Sequence, residues 1–311
     1  MPANFTSGWL GNGERAWHGM GVVTDGTLPA REAFETADAL FAVEKRPLYY
    51  LSEGMDGLPT EHFAVVRTDS EALLGIVSKQ YEIVQNDSLL RMAEFIREEV
   101  DMDCVIVLSN GAKVCFTATL RGAETDIVPG DTVKRRIVGY LGHDGKTGCG
   151  AKFTNIRVVC QNTLTAALSE SGAHSSITHK NGANNNFDAL INSIDVARQD
   201  FVTECELMRE FSQFSITNSQ FNDFVDKVYN IDEGQVFRKR DKITAAMNRG
   251  YGVEFNPGTL WTAVNAITQV ETSTRGTTAA KGRAQFARGT FGLGAQISKR
   301  AFAVARDLVT A

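Results

Sequence analysis

Residues 150–164 end an apolar run with polar side chains that could bind an anion. Arg157 lies within the run, and the positions just after it hold Gln161, Asn162 and Thr163. A charged side chain in an apolar strand must be paired or must face a polar groove. Free backbone N–H groups at a helix start also favour an anion. The pattern predicts a phosphate-binding corner at Arg157 and Asn162 or, alternatively, a network that caps a helix and ties it to the strand.

A second polar stretch falls in a predicted strand-to-helix connection. It contains Lys79 and Tyr81, followed by Gln85 and Asn86. A tyrosine that stacks on a base beside a lysine that binds phosphate is a common way to hold single-stranded nucleic acid. The alternative is a surface turn that is held by its own hydrogen bonds.

Three consecutive basic residues form a third candidate, at positions 134–136 of a predicted strand. Because side chains alternate along a strand, Lys134 and Arg136 share one face and Arg135 lies on the other. Basic side chains that share a groove can follow a nucleic-acid backbone even in an acidic protein. A solvated surface without a ligand is the alternative. The residues expected to contact phosphate are Lys134, Arg135, Arg136, Lys152 and Arg157, and Lys146 continues the basic patch.

Charge is distributed unevenly along the 311 residues. The net charge is −5, but residues 272–311 contain seven Lys or Arg and only one acid, Asp307. That segment therefore carries +6 and residues 1–271 carry −11. The five cysteines form no C-x-x-C pair, so neither a disulfide framework nor a zinc ribbon is expected, and a reducing cytoplasm fits best. No apolar run of membrane-spanning length occurs, and no membrane partner is expected.

Hydrophobic periodicity predicts an α+β fold, in which an antiparallel β meander wrapped by helices precedes a mainly helical C-terminal region. Residues 1–170 are predicted as the α+β core, 171–186 as a linker, and 187–311 as a helical region with a basic loop at 273–294. Predicted hairpins join 62–67 to 73–77, 104–108 to 113–120, and 132–141 to 151–160. A Pro-interrupted edge strand is expected at 43–50. Helices are predicted at 87–100, 162–169, 187–214, 219–229, 235–248, 259–272 and 296–310.

Signatures of common enzymes are missing from the sequence. It contains no Walker phosphate loop, no G-x-S-x-G, no H-E-x-x-H and no zinc-deaminase motif. His143 and Asp144 could form a base with an orienting carboxylate, but adjacent strand residues point apart, so turn chemistry is the favoured interpretation. Trp261 and Asn265 lie one helical turn apart and predict core packing with a buried amide hydrogen bond. No catalytic residue, cofactor or metal is expected.

Four stretches in this order, residues 16–21, 78–86, 150–164 and 257–266, carry a family resemblance. They resemble the phage/plasmid-like family with the domain of unknown function numbered 932. The order of hairpins and helices is also similar to that of single-strand annealing recombinases. The resemblance implies a mobile-element protein, for which replication, recombination and defence against host nucleases are the common tasks.

These observations predict a single-stranded-DNA-binding protein that works as a homo-oligomer in recombination, with strand annealing as its further expected activity. The predicted contacts are Lys79, Tyr81, Lys134, Arg136, Lys152, Arg157 and Asn162. The alternative is a non-enzymatic phage interaction or assembly protein that contacts a host or virion protein, with the basic C-terminal segment as its contact arm.

Overall fold

The computed structural model describes residues 5–11, 21–52, 55–157, 162–164, 175–177, 187–232, 235–272 and 293–310. Among these residues the chain forms eleven strands and seven α-helices, with antiparallel sheets and the helices concentrated toward the C-terminus. The α+β prediction is confirmed. The strands are β1 Phe5–Leu10, β2 Val22–Val23, β3 Val43–Ser52, β4 Met55–Arg67, β5 Ala72–Ser78, β6 Val100–Leu108, β7 Lys113–Asp126, β8 Thr132–Gly142, β9 Cys149–Arg157, β10 Asn162–Leu164 and β11 Ser175–Ile177.

The larger sheet has eight described strands, in the order β10-β9-β8-β7-β6-β1-β2, with β11 also paired to β9. Strands β6 to β10 are neighbours in chain order and thus form the predicted meander. The turn between β6 and β7 is a short 3₁₀ segment, Ser109–Gly111, in which Asn110 has a φ of 59° and Gly111 a φ of 110°. Asn and Gly tolerate this left-handed backbone, and for that reason the Asn-Gly pair predicted a hairpin here correctly.

The smaller sheet is antiparallel, with the order β3-β4-β5. Pro47 lies in β3 at the edge of this sheet, as its missing N–H requires. The predicted hairpin between β4 and β5 is confirmed, with Arg67 opposite Ala72 in the register. Arg67 is buried and is held by Asp69 and Asp38 at 2.7 Å. These carboxylates compensate the burial of its charge.

The helices are α1 Ala30–Thr36, α2 Asn86–Phe95, α3 Phe187–Gln213, α4 Asn218–Tyr229, α5 Arg240–Arg249, α6 Leu260–Thr272 and α7 Leu293–Thr310. Helix α4 begins with a complete capping box, because Thr217 and Gln220 each bond the backbone N–H of the other. The predicted amide bond in α6 is confirmed, since Asn265 Nδ2 donates to Trp261 O at 2.8 Å and both side chains are buried. Within the described residues, no helix is long and apolar enough to cross a membrane.

Contacts between Cα atoms divide the chain into two compact units whose sequences interleave. Unit 1 comprises Met1–Thr119, Ile137–Lys152 and His174–Ser193, and unit 2 comprises Leu120–Arg136, Phe153–Ala173 and Ile194–Ala311. The largest fully buried side chains of unit 1 include Trp9, Phe34 and Phe116, and those of unit 2 include Phe211, Phe224 and Trp261. The sequence predicts a different division, into two consecutive parts, 1–170 and 187–311, joined by a linker at 171–186. That division stays a prediction.

Three local predictions are wrong. Residues 162–164 form strand β10 instead of a helix start, because they pair with β9. Within the predicted linker, residues 175–177 form β11, which pairs with the other end of β9. Helix α2 ends at Phe95, and Val100 already begins the buried strand β6. Of the expected basic loop at 273–294, residues 273–292 lie outside the described residues, and Leu293 and Gly294 begin helix α7.

Candidate functional site

The connection between β5 and α2 carries Lys79 and Tyr81 and is held in place by β3. Lys45 of β3 donates from Nζ to the backbone oxygens of Lys79 and Tyr81, at 3.0 Å each. Gln85 exchanges two hydrogen bonds with the Val43 backbone, accepting from its N–H at 3.1 Å and donating to its oxygen at 2.7 Å. The connection therefore has a defined path, as a binding loop on a rigid scaffold requires.

The turn between β8 and β9 is organised by Asp144. Its Oδ1 accepts from the backbone N–H groups of Lys146 at 2.8 Å and Thr147 at 2.7 Å, and its Oδ2 accepts from Thr147 Oγ1 at 3.0 Å. Burial acts to raise the pKa of the Asp144 carboxyl, but these hydrogen bonds outweigh it, so the pKa lies below its usual value. The turn-chemistry interpretation of this stretch is confirmed.

His143, the residue before Asp144, anchors the same turn from its other side. Its backbone N–H donates to Ala112 O at 2.8 Å, and its buried Nε2 lies 2.9 Å from Oδ1 of Asn86, the first residue of α2. Asn86 Nδ2 in turn donates to Phe41 O at 3.0 Å. His143 is thus an anchoring residue that joins the turn to the start of α2.

Two glycines allow the turn to pack closely against β5 and the connection that follows it. A Cβ on Gly75 would lie 2.7 Å from the Asp144 carbonyl carbon, and a Cβ on Gly145, which has a φ of +72°, would lie 2.9 Å from Val77 Cγ1. Tyr81 Oη donates to Gly142 O at 3.2 Å. Burial, followed by the charge of Asp144, raises the pKa of Tyr81 to about 12, so its hydroxyl stays a neutral donor.

This packing brings together, in unit 1, the segments that carry Tyr81 and four lysines. We name the group the basic corner, and its members are Lys45, Lys79, Tyr81, Lys113 and Lys146. Lys79 and Lys146 are exposed, and neither forms an ion pair with another described residue. Lys113 lies 3.4 Å from Asp144 and is 46% exposed. The connection between β5 and α2 and the turn between β8 and β9 contain two acids, Glu82 and Asp144. The four lysines of the basic corner therefore exceed the acids of these two segments.

Sequence reasoning identified only part of the basic corner. It linked Lys79 with Tyr81, assigned Lys146 to the patch around Lys134, and did not select Lys45 or Lys113. A glycine within an apolar strand often marks a close backbone approach, so Gly75 was the available signal. Its partner could not be identified, because Asp144 lies far away in the chain.

Lys134 and Arg136 belong to unit 2, and neither presents an unpaired charge to solvent. Lys134 Nζ lies 2.8 Å from Glu124 Oε2, beside an open cavity of about 490 Å³. The cavity is also lined by Thr125, Asp126 and Thr132. The carboxylates of Glu124 and Asp126 disfavour the binding of an anion such as phosphate in this cavity. Arg136 is buried, with 9% of its surface exposed.

Arg135 was expected to contact phosphate, but the structure corrects this. Its side chain is buried in unit 2 and donates from Nη1 to Glu204 Oε2 at 2.6 Å and to Asn155 Oδ1 at 2.9 Å. Its guanidinium carbon lies 5.8 Å from the centre of the Phe153 ring. A guanidinium that is already paired in the core is not available to a ligand.

Lys152, Arg157 and Asn162 lie along β9 and β10. Lys152 is half-buried in unit 1, and burial lowers its pKa to about 8. Arg157 and Asn162 are backbone partners between β9 and β10 in unit 2, and only their backbone is described. Because Asn162 begins a strand, the free N–H groups of a helix start do not contribute at this position.

Among the described residues, no group of His, Cys, Asp and Glu could hold a metal ion. No curated protein and no solved structure matches the chain. A family model does match residues 73–289, which is more than half of the chain and includes the whole basic corner except Lys45. The protein belongs to the family defined by the domain of unknown function DUF932.

Proposed function

We propose that this protein binds single-stranded DNA through the basic corner and uses no cofactor or catalytic residue. The exposed lysines contact phosphate groups, and the Tyr81 ring stacks on a base. Binding of this kind tolerates any sequence, because every nucleotide has a phosphate and a base with a π-face. It fits a recombination-associated role in a phage or plasmid, in which a homo-oligomer anneals complementary strands.

The observation that carries the proposal is the close approach of the β8–β9 turn to β5. It brings the segments of Lys79 and Lys146 together with their charges exposed and unpaired by other described residues. An exposed lysine that makes no ion pair breaks no existing salt bridge on meeting a phosphate, and the release of counterions from the nucleic acid favours the contact. The Tyr81 ring, two residues after Lys79, is fixed by its hydroxyl, so little conformational freedom is lost on stacking.

The test compares oligonucleotide binding by the wild type, Lys79→Ala, Lys146→Ala and the double variant at several salt concentrations. Each lost phosphate contact should lower the slope of log K against log salt by about 0.7 for a single strand. Lys242→Ala is the matched control, because Lys242 is exposed on α5 in unit 2, outside the basic corner. The control should keep the wild-type slope.

An unchanged slope in the folded double variant would overturn the assignment to the basic corner. Failure of the wild type to bind any oligonucleotide at low salt would overturn the function itself. If the wild type then retained a host or virion protein in the absence of nucleic acid, the interaction or assembly role would replace it.

A further inference from the structure

The hairpin of β3 and β4 extends beyond the third strand of its sheet. Strand β5 pairs with β4 only from His62 to Arg67, whereas the pairing of β3 with β4 continues to Ser52 and Met55. Residues 48–52 and 55–61 therefore form a two-stranded ribbon. We name residues 48–61 of the sequence the hairpin end. Such a ribbon has only marginal stability in water unless another surface covers it.

Large apolar side chains are exposed on the hairpin end. Tyr49 is 60% exposed, Tyr50 is 54% exposed and Leu51 is 88% exposed. Single exposed apolar residues are normal. Tyr49 and Leu51, however, share one face of the ribbon, because a Cβ on Gly57 would lie 3.2 Å from Tyr49 Cβ and 4.0 Å from Leu51 Cδ2. Adjacent large apolar side chains that are exposed in this way mark an interaction surface.

The charge of the hairpin end indicates what chemistry could cover it. It contains Glu53, Asp56 and Glu61 and no Lys, Arg or His. Nucleic acid is therefore a poor partner for this surface, and two hairpin ends would repel each other. The best partner is a segment that combines positive charge with apolar side chains.

Residues 273–292 of this same chain have that composition. They contain four basic residues and no acid, together with two phenylalanines; these are Arg275, Lys281, Arg283, Arg288, Phe286 and Phe291. The charges of −3 and +4 are complementary, and both segments supply aromatic residues, which are enriched in protein interfaces.

We propose that the hairpin end of one copy binds residues 273–292 of a second copy. The contact joins two different surfaces and is therefore heterologous, so repetition of it builds a closed ring or an open filament. Opposite charges select this pairing and speed the encounter, and the apolar side chains stabilise the contact. The proposal does not depend on DNA binding, and its test is made without nucleic acid.

A charge-swap experiment on the full chain tests the electrostatic part. Light scattering after size exclusion should show association of the wild type at about 0.1 M salt, and weakening at about 1 M, where screening is stronger. Asp56→Lys with Glu61→Lys should abolish self-association, and so should Lys281→Glu with Arg283→Glu. An equimolar mixture of the two double variants should associate again, because the unchanged hairpin end of one variant, with a charge of −3, then meets the unchanged segment 273–292 of the other, with a charge of +4.

A second comparison tests the apolar part. Tyr49→Thr with Leu51→Thr keeps residues that favour strands and should weaken association by about tenfold or more, as loss of a central interface anchor does. Val236→Thr is the matched control, because Val236 is also 88% exposed but belongs to unit 2 and not to the hairpin end. It should associate like the wild type.

Three results would overturn the proposal. The first is a wild type that stays monomeric at low salt at the highest soluble concentration. The second is a mixture of the two charge-swapped variants that does not associate although each variant keeps the wild-type melting temperature. The third is an apolar variant that associates as tightly as the Val236→Thr control.

Discussion

Arg135 in β8 and the lysines of the basic corner carry positive charge in opposite surroundings. Arg135 is 3% exposed and shares a buried network with Glu204 and Asn155. Lys79 and Lys146 are exposed and form no ion pair with another described residue. A buried charge needs hydrogen bonds and an opposite charge within the protein to offset its desolvation, whereas an exposed charge remains available to a ligand. Position relative to the core, rather than charge itself, therefore separates structural residues from candidate binding residues here.

Glu204 shows how strongly burial acts in the network. Burial raises the pKa of its carboxyl in spite of the opposing charge of Arg135. Two atoms of the pair, Arg135 Nε and Glu204 Oε1, are buried and find no hydrogen-bond partner among the described residues. The pair is therefore sensitive to loss of either member, because the remaining buried charge would have no opposite charge beside it.

The largest effect is expected for Arg135→Met, which leaves the Glu204 carboxylate unpaired in the core. Breaking a buried ion pair in this way should lower the free energy of unfolding by about 3–5 kcal/mol. Urea unfolding measures the change. The double variant Arg135→Met with Glu204→Leu is the control, and it should recover much of the loss, because no charge is left buried. A single variant within about 1 kcal/mol of the wild type would contradict the comparison.

The exposed lysines and the buried arginine could not be told apart from sequence alone. Strand alternation separates Arg135 from Lys134 and Arg136, but it does not say which face a helix covers. The partner of Arg135, Glu204, lies 69 residues further along the chain. Burial of Arg135 is therefore a consequence of tertiary packing, and a run of three basic residues carries no signal of it.

Elements with strong local signals were predicted well. Helix α3 has a long amphipathic repeat and begins at Phe187 as predicted, and the Asn110-Gly111 turn joins the predicted strands. The errors fall where pairing between distant residues decides the structure. Asn162 joins β10 because Arg157 is its strand partner, although the local sequence resembles a helix start. Two positions of the basic corner, Lys79 and Tyr81, were selected from local chemistry, but the turn that completes it was not.

The second largest effect is expected for Gly75→Ala, which tests the basic corner without removing a charge. The added Cβ would lie 2.7–2.8 Å from the Asp144 backbone, so the β8–β9 turn would have to move away from β5. We expect a cost of about 1–3 kcal/mol in unfolding free energy and a clear loss of oligonucleotide affinity.

Gly26→Ala is the matched control for Gly75→Ala, because a Cβ on Gly26 would meet nothing within 4 Å. It should change neither stability nor affinity appreciably. Wild-type affinity in a folded Gly75→Ala variant would show that the packing of the turn against β5 is not needed for binding.

A smaller effect on stability is expected from the titration of Lys152. This side chain is half-buried, so its surroundings are intermediate between those of the buried Arg135 and the exposed lysines. Burial lowers its pKa to about 8 from 10.5, so the folded protein binds fewer protons than the unfolded chain between these values. Stability attributable to this residue should therefore rise as the pH increases from about 8 to 10.5 and should be lowest below 8.

Lys152→Met isolates this contribution, because every other titrating group is shared with the wild type. The stability of the variant relative to the wild type should fall as the pH is raised from about 7 to about 10, as measured by urea unfolding at each pH. A difference that stays constant over this range would mean that Lys152 is not desolvated in the folded protein, and it would then belong with the exposed lysines.

The smallest effect is expected for Tyr81→Phe, which removes one hydrogen bond and leaves the ring. Tyr81 Oη donates to Gly142 O at 3.2 Å, and loss of such a bond should cost about 1 kcal/mol of stability. If the ring stacks on a base, Tyr81→Phe should bind oligonucleotide like the wild type, whereas Tyr81→Leu should lose about 1–3 kcal/mol of binding free energy. Fluorescence titration of a labelled oligonucleotide distinguishes the two variants. Equal losses of affinity in both would mean that Tyr81 acts by holding the turn through its hydroxyl, and the lysines alone would then form the contact surface.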